Sequence, residues 1–391
     1  MRALVLLILV GCGRIAFDPL GDRDGTGLRG LAVGEDAGCV IRDNGTLACW
    51  GNNNEGQLGV GMVGGMELAP VTVPGLADVV HIGASSNAFF AIVDGGAMWS
   101  WGHASDMNLG VADTAPRLLP GKSPILADPI EISGGAASAC ARLASGGVTC
   151  WGDGDAGQLG DGLAADFSAP VTVPLPPRVT RLSMGADHAC AIVDSQLSCW
   201  GMNHYGQLGV DAATSNETCE DIHNVIGPCK TSPLALPIAA ATVIAAGSRH
   251  TCAVDDGTVQ CWGSNEDGQL GDGTMTDSVL PILVTLPAQP IAIALQTYSS
   301  CALLVDGTAW CWGEGTFGQL GDGMMTDNPT PTRVDIATPL RAIAANVRGE
   351  HVCAIDDSDD VWCWGLNNAG QLGNNTTENA ATPQRVALGD G

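Results

Sequence analysis

Short apolar runs, broken by clusters of Gly, Asp and Asn, recur along the chain with a period of about fifty residues. Trp-Gly pairs mark the register at Trp50, Trp101, Trp151, Trp200, Trp262, Trp312 and Trp364, with spacings of 51, 50, 49, 62, 50 and 52 residues. A unit of that length cannot bury an apolar face alone, so the period predicts repeated supersecondary pieces stacked on a shared core. Within 391 residues this argues for one closed body over about 29–388 rather than two or three separate domains. With 54 glycines and 21 prolines, long helices are excluded and many short strands joined by turns are expected, an all-β fold.

Cysteines set the registers of the predicted hairpins. Cys39 pairs by position with Cys49, Cys140 with Cys150, Cys190 with Cys199, Cys252 with Cys261, Cys301 with Cys311, and Cys353 with Cys363. Directly opposed residues on antiparallel strands share a constant sum of residue numbers. Cys252 and Cys261 centre on Asp256-Gly257, the favoured dipeptide for a two-residue turn with both central φ angles positive. Pairs ten residues apart centre on tips such as Asp43-Asn44-Gly45 and Ser145-Gly146, which suit a hairpin with a glycine bulge. Cross-hairpin disulfides are expected, each worth about 2–3 kcal/mol in the loop-entropy account. In the second unit the equivalent positions are Phe90 and Ser100, so both cysteines are missing together, as a bond predicts. His188, His250 and His351 sit two residues before the first cysteine of a pair, but Cys-x-x-Cys spacing is absent. No metal site is therefore assigned, and these histidines are expected to satisfy backbone groups.

After each Trp-Gly a second signature follows, complete at Trp50-Gly51-Asn52-Asn53-Asn54-Glu55-Gly56-Gln57-Leu58-Gly59. Its fourth position is Asn53, Gly154, Asn203, Asn265, Gly315 or Asn367, and exchange of Asn with Gly predicts a positive φ there. The leucine is expected in the core and the glutamine on backbone groups. Together these elements resemble the RCC1 repeat family, whose unit reads roughly His-x-x-Ala-Leu, Asp-Gly, Trp-Gly, Asn, Gly-Gln-Leu-Gly. The resemblance covers about residues 29–388 and implies a single seven-bladed β-propeller; the paired cysteines look like an exported bacterial variant. Most units also carry a Pro followed by β-branched residues, as in Pro70-Val71-Thr72-Val73, while Pro383-Gln384-Arg385-Val386 is a surplus copy at the far end. This predicts a ring closed by the C-terminal strand, completing the blade begun near Leu31.

Departures from the repeat are where a specific function would lie. An insertion at about 211–234 explains the 62-residue spacing and carries Cys219 and Cys229, expected as a disulfide-pinned surface loop. The second unit has Met107-Asn108 in place of Gly-Gln and Ala104 at the Asn/Gly position. Trp99, Trp310 and Trp362 each precede a repeat tryptophan by two residues and so share its strand face; they are candidates for a binding surface, against inter-blade packing as the alternative.

The N-terminus reads Met1-Arg2 and then an apolar stretch from Ala3 to Val10, too short to span a bilayer and similar to a signal-peptide core. Leu9-Val10-Gly11-Cys12 resembles a bacterial lipobox, so residues 1–12 are expected to be a signal peptide with Cys12 lipidated, and 13–28 a flexible tether. Export to the cell envelope, anchored to the membrane through lipid alone, agrees with the paired cysteines. With 16 Lys and Arg against 42 Asp and Glu, the net charge of −26 disfavours nucleic acid as a partner.

Sequence motifs for catalysis or cofactor binding do not assemble. Gly59, Gly61 and Gly64 match a dinucleotide fingerprint by spacing alone, outside any βαβ unit, and neither Asp153-Gly154-Asp155 nor the Asp356–Asp360 stretch fits an EF-hand. The expectation is a monomeric, noncatalytic, cofactor-free scaffold for a protein or glycan. Alternatives are a lyase or hydrolase acting on an envelope glycan, marked by carboxylates of raised pKa, and an exchange-factor-like regulator by family resemblance.

Overall fold

The computed structural model describes residues 28–104, 107–111, 115–123, 126, 128–221 and 225–389. Cys12, the apolar N-terminal stretch and nearly all of the tether lie outside these residues. Among the described residues there is no helix, and hence none long and apolar enough to cross a membrane. Strands form seven antiparallel sheets, six with four strands and one with five. Blade one contains Leu28–Val33, Ala37–Arg42, Leu47–Asn52 and Met66–Thr72 in spatial order. Blades two to seven begin at Val79, Pro129, Val179, Ala241, Pro290 and Leu340, and each innermost strand packs on its neighbour's. The chain is a seven-bladed β-propeller.

One joint is repeated between all blades. The repeat tryptophans are fully buried, and each indole Nε1 donates to a carbonyl in the Gly-Gln-Leu-Gly turn of the preceding blade. Trp101 bonds Gln57 at 3.0 Å, Trp151 bonds Asn108 at 2.7 Å, Trp200 bonds Gln158 at 2.9 Å and Trp262 bonds Gln207 at 2.9 Å. Trp312 bonds Gln269 at 2.8 Å, Trp364 bonds Gln319 at 3.0 Å, and Trp50 bonds Gln371 at 2.9 Å across the ring closure. The final glycine of each turn lies flat against the same indole. At Gly160, where φ is +72°, an added Cβ would stand 2.4 Å from Trp200 Nε1. Leu58 and its counterparts are buried, and Gln57 Oε1 accepts from the backbone N–H of Glu55, as expected for both residues.

Closure differs in detail from the sequence expectation. The terminal strand Ala380–Arg385 pairs with Val361–Gly365 in its own blade, and blade one supplies all four of its strands. The Pro-β-branched segment is thus the outer strand of the blade whose Trp-Gly precedes it: Val71 pairs with Cys49, so the surplus copy was only a matter of phase. Blade seven meets blade one as any other pair does. Asn375 N donates to Leu68 O at 2.8 Å, just as Gly61 N donates to Leu118 O at 2.7 Å between blades one and two.

The hairpins have the expected registers. Cys252 faces Cys261, with φ of +46° at Asp256 and +77° at Gly257. The six hairpin cysteine pairs and Cys219–Cys229 all lie at bonding distance, with Cα separations of 4.0–4.1 Å for the former and 5.8 Å for the latter. Phe90 faces Ser100, and the Phe90 ring fills the disulfide's place, meeting Trp151 edge-on.

Two local expectations are corrected. The Asn/Gly position does not have positive φ; Asn265 Oδ1 accepts from Leu270 N while its Nδ2 donates to Thr274 O and Thr276 O, so the asparagine organises the loop through its side chain. Where glycine stands, the loop backbone moves into that space: a Cβ on Gly154 would lie 1.9 Å from Ala165 O. Of the three buried histidines, His188 and His250 bind hydroxyls rather than backbone, while neither ring nitrogen of His351 has a partner among the described residues. His188 Nε2 lies 2.8 Å from Thr251 Oγ1, which itself donates to Gln207 O, so the imidazole donates and carries its proton on Nε2. His250 meets Ser300 Oγ in the same way, and burial pushes His188, His250 and His351 down to about 3, keeping them neutral.

Three variants test this packing. Gly160→Ala should cost at least about 3 kcal/mol in urea unfolding, whereas Gly64→Ala, also at positive φ but with open space around it, should cost only about 1 kcal/mol. Phe90→Cys with Ser100→Cys should form a further disulfide, visible as no added free thiol by mass spectrometry. Its gain of about 3 kcal/mol is outweighed by loss of the buried phenyl ring, worth about 3–5 kcal/mol, so net stability should fall by about 1 kcal/mol.

Candidate binding face

Each blade sends two segments to the same face: the turn between its first and second strands, and the long loop after its Trp-Gly. Backbone bonds join them, from Asn52 N to Asp36 O at 2.9 Å, Met202 N to Asp187 O at 2.8 Å and Leu366 N to Glu350 O at 2.9 Å. The residue at the end of the first turn is Asp36, Asn87, Ala137, Asp187, Arg249, Tyr298 or Glu350, one per blade, giving a ring of unlike side chains on a like backbone. At two of the blade junctions this ring is coupled to the blade joint: Gln57 Nε2 donates to Asn87 Oδ1 at 3.4 Å and Gln371 Nε2 donates to Asp36 Oδ1 at 3.1 Å.

Acidic groups dominate the face. Burial pushes Glu350 up to about 7, and the charges of Glu314, Asp36 and Glu35 push in the same direction. Asp187 is also raised to about 7, mainly by burial and then by Asp153 and Asp221, while Arg348 and Arg249 oppose the shift. Asp153 reaches about 6 through burial, with Asp166 and Asp155 adding repulsion against the backbone N–H of Asp155. Carboxylate oxygens of Asp153, Asp155 and Asp166 all lie within 4.8 Å of one another. By contrast, the acidic hairpin of blade seven is spoken for: Asp356 accepts from Ser358 N, Asp360 N and Trp362 Nε1, while Arg341 pairs with Asp359 and Arg385 with Asp360.

The insertion is a β-hairpin on this face rather than an irregular loop. Glu217–Glu220 pairs with the first half of Ile226–Ala235, whose second half is the outer strand of blade four. Cys219 and Cys229 pack at its base with Met202 and Ala156, bridging the loops of blades four and three. Lys230 Nζ and the N–H and hydroxyl of Thr231 hold Glu217. Beyond the disulfide the hairpin exposes Val225 and Ile226, the latter 68% exposed. Beside its base His204 meets Tyr205 edge-on, and the Arg249 guanidinium lies 4.7 Å from the Tyr205 ring centre.

Trp99, Trp310 and Trp362 sit on the third strands of blades two, six and seven and are half-buried. Lys122, Arg333 and Arg385 lie opposite them on the outer strands. Trp310 Nε1 donates to Thr308 Oγ1, and no ring contact joins Trp310 to Trp362 among the described residues. No ring contact joins the three among the described residues, and the loop face gathers instead acidic turn residues that sequence reading did not select. Their signal was positional, the residue immediately before His188, His250 and His351, and it varies in chemistry from blade to blade.

Stability should report the Glu350 environment. Its folded-state pKa lies above the ordinary glutamate value, so its contribution is fully present below about pH 4.5 and is lost as pH rises through about 7. Glu350→Gln should stabilise the fold by about 1 kcal/mol at pH 8, after allowance for partial exposure, and by nearly nothing at pH 4.5. Urea midpoints of both proteins across this range measure the difference.

The repeat described as "Regulator of chromosome condensation (RCC1) repeat" matches residues 44–92, 145–192, 194–254, 256–303, 306–355 and 358–391, and a second form of it matches 29–57, 179–207, 242–269 and 343–371. A secretion-regulating guanine nucleotide exchange factor of Bos taurus is 38% identical over 94 residues, 23% of this chain and 20% of that protein. The mitochondrial RCC1 domain-containing protein RUG3 of Arabidopsis thaliana is 32% identical over 95 residues, 24% of this chain and 21% of the relative. The matched stretch thus spans about a fifth of either relative. Prp20p of Saccharomyces cerevisiae superposes with a TM-score of 0.76 at 20% identity, over 92% of this chain and 86% of that one, which establishes likeness of fold.

Proposed function

Starting from the fact that the chain belongs to the RCC1 repeat family, we propose that it is an exported, noncatalytic scaffold that binds a partner protein through the face bearing the insertion hairpin. The observation that carries this reading is the meeting, on one face, of a disulfide-pinned hairpin with exposed Val225 and Ile226 and a ring of turn residues that is acidic at Asp36, Asp187 and Glu350. Rigid presentation of Val225 and Ile226 beside these carboxyl groups suits a partner with a basic segment near an apolar pocket, whose cations would favour the ionised carboxylates. The yeast relative Prp20p is described as binding Gsp1p and histones, which supports protein recognition as the use of the fold.

Seven cysteine pairs at bonding distance favour an oxidising compartment. That setting, with the apolar N-terminal stretch and the Leu9-Val10-Gly11-Cys12 lipobox, supports a lipid anchor on Cys12 at the cell envelope. It also weighs against a cytosolic role in guanine nucleotide exchange, the activity that the name of the Bos taurus relative carries.

A second reading rests on Glu350, whose raised pKa and carboxylate neighbours Glu314 and Asp36 suit a general acid acting on a glycan. Crosslinking and affinity capture from intact cells separates the two. Removal of 212–228 should abolish capture of partners carrying basic segments, and raised salt should weaken it. Unchanged capture would remove the hairpin face from the account, and glycan cleavage that Glu350→Gln abolishes would establish the enzyme instead.

A further inference from the structure

Six of the seven junctions between blades are bridged by the chain itself, which runs from the outer strand of one blade into the innermost strand of the next. The seventh, between blades seven and one, has no such bridge, and no strand is shared across it among the described residues. Its repeat tryptophan and the acceptor stand 321 positions apart, so closing this junction carries the entropy of a loop of nearly the whole ring. Two blade-seven side chains meet blade one here in addition to the repeated joint. Arg341, in the innermost strand Leu340–Ala345, donates from Nη2 to Leu28 O at 3.0 Å. Its own hairpin aims it: Nε donates to Asp356 O at 3.1 Å, and Asp359 pairs with the guanidinium. Asn346, directly after that strand, donates from Nδ2 to Val33 O at 3.1 Å and to Ser85 O of blade two at 3.2 Å. Asn346 is buried, and its Oδ1 accepts from Arg348 N at 3.0 Å, so both ends of the amide are satisfied.

Both positions differ from their counterparts in other blades. Thr180 and Thr242 stand where Arg341 does and bond carbonyls of their own blades, while Gly34, Gly135, Gly185 and Gly247 stand where Asn346 does. The turn that Asn346 opens is also two residues longer, running 346–350 against 34–36 in blade one and 296–298 in blade six. Blade six holds it from the other side, with Gln296 Nε2 donating to Gly349 O at 3.5 Å and Thr297 Oγ1 to the carbonyl of buried Val347 at 3.3 Å. We propose that Arg341 and Asn346 are a clasp that stands in for a shared strand, fixing both ends of Leu28–Val33 to blade seven so that the ring stays shut where no peptide holds it. Leu28 O and Val33 O lie at opposite ends of one strand, so blade one can neither slide nor peel away without breaking a bond. Losing Asn346 deprives carbonyls of two blades of this donor. The clasp is independent of the partner-binding reading and is tested without any partner.

Indole-proton exchange of the full oxidised chain, followed by NMR, reads the seam because Trp50 is the repeat tryptophan that donates across it. In the double variant Arg341→Met with Asn346→Ala, the Trp50 Nε1 proton should gain about tenfold or more in exchange rate relative to those of Trp151, Trp200 and Trp262, through sub-global opening at this junction. Arg341→Met alone, which keeps the aliphatic stem of a half-buried side chain, should show the same selectivity at about threefold or more, and it carries the test where the double variant does not fold. Arg385→Met, which removes the neighbouring ion pair with Asp360 but no bond to blade one, should leave Trp50 level with the others. No gain of Trp50 over the other repeat tryptophans in Arg341→Met, or an equal gain in Arg385→Met, would overturn the proposal.

Discussion

A buried indole lying on a glycine, its N–H held by the carbonyl two residues before, is the interaction on which this ring depends. Each repeat tryptophan removes about 200 Å² from water, worth on the order of 5 kcal/mol, and the hydrogen bond adds about 1 kcal/mol. More important than the energy is what the joint demands. Trp-Gly belongs to one blade and Gly-Gln-Leu-Gly to the blade before it, so neither motif is satisfied within its own repeat. A chain built this way is stable only when every unit has a neighbour on both sides, and the last such bond, from Trp50 to Gln371, joins residues 321 positions apart.

This explains what the sequence made legible. The fifty-residue period, the hairpin registers and the sulfur pairs could be read directly because each is a local pattern: Cys252, Asp256-Gly257 and Cys261 lie within ten residues and fix one another. Closure was misread because the Pro-β-branched strand is separated from its Trp-Gly by a variable loop, and nothing in Val71 says that it pairs backward to Cys49 rather than forward. The Asn/Gly exchange was misread for a related reason. A shared turn can be reached by a side-chain hydrogen-bond centre, as at Asn265, or by the backbone folding into its space, as at Gly154. The composition of the position does not distinguish these from a demand for positive φ.

The binding face was the least legible part. Its residues are single positions, one per blade, brought together only by the ring, and their side chains differ where the framework does not. The hairpin announced itself as an insertion, but its alignment with Asp187 and the loop of Asp153 needed the sheet register. A symmetric frame thus carries an asymmetric face: acid at Asp36, Asp187 and Glu350, a cation at Arg249, and a projecting hairpin over blade four alone. Repetition accounts for stability, and the departures from it carry whatever specificity the protein has.

Hydrogen exchange of the indole N–H protons, followed by NMR on the intact oxidised chain, examines the joint most directly. If one joint recurs around a closed ring, the Nε1 protons of the repeat tryptophans exchange only through global unfolding, and Trp50 is as protected as Trp200 or Trp312, while the half-buried Trp310 exchanges far faster. Rapid exchange at Trp50 with protection at the others would show that the ring is open between blades seven and one, and rapid exchange at most of them would show that the joint does not hold the blades together.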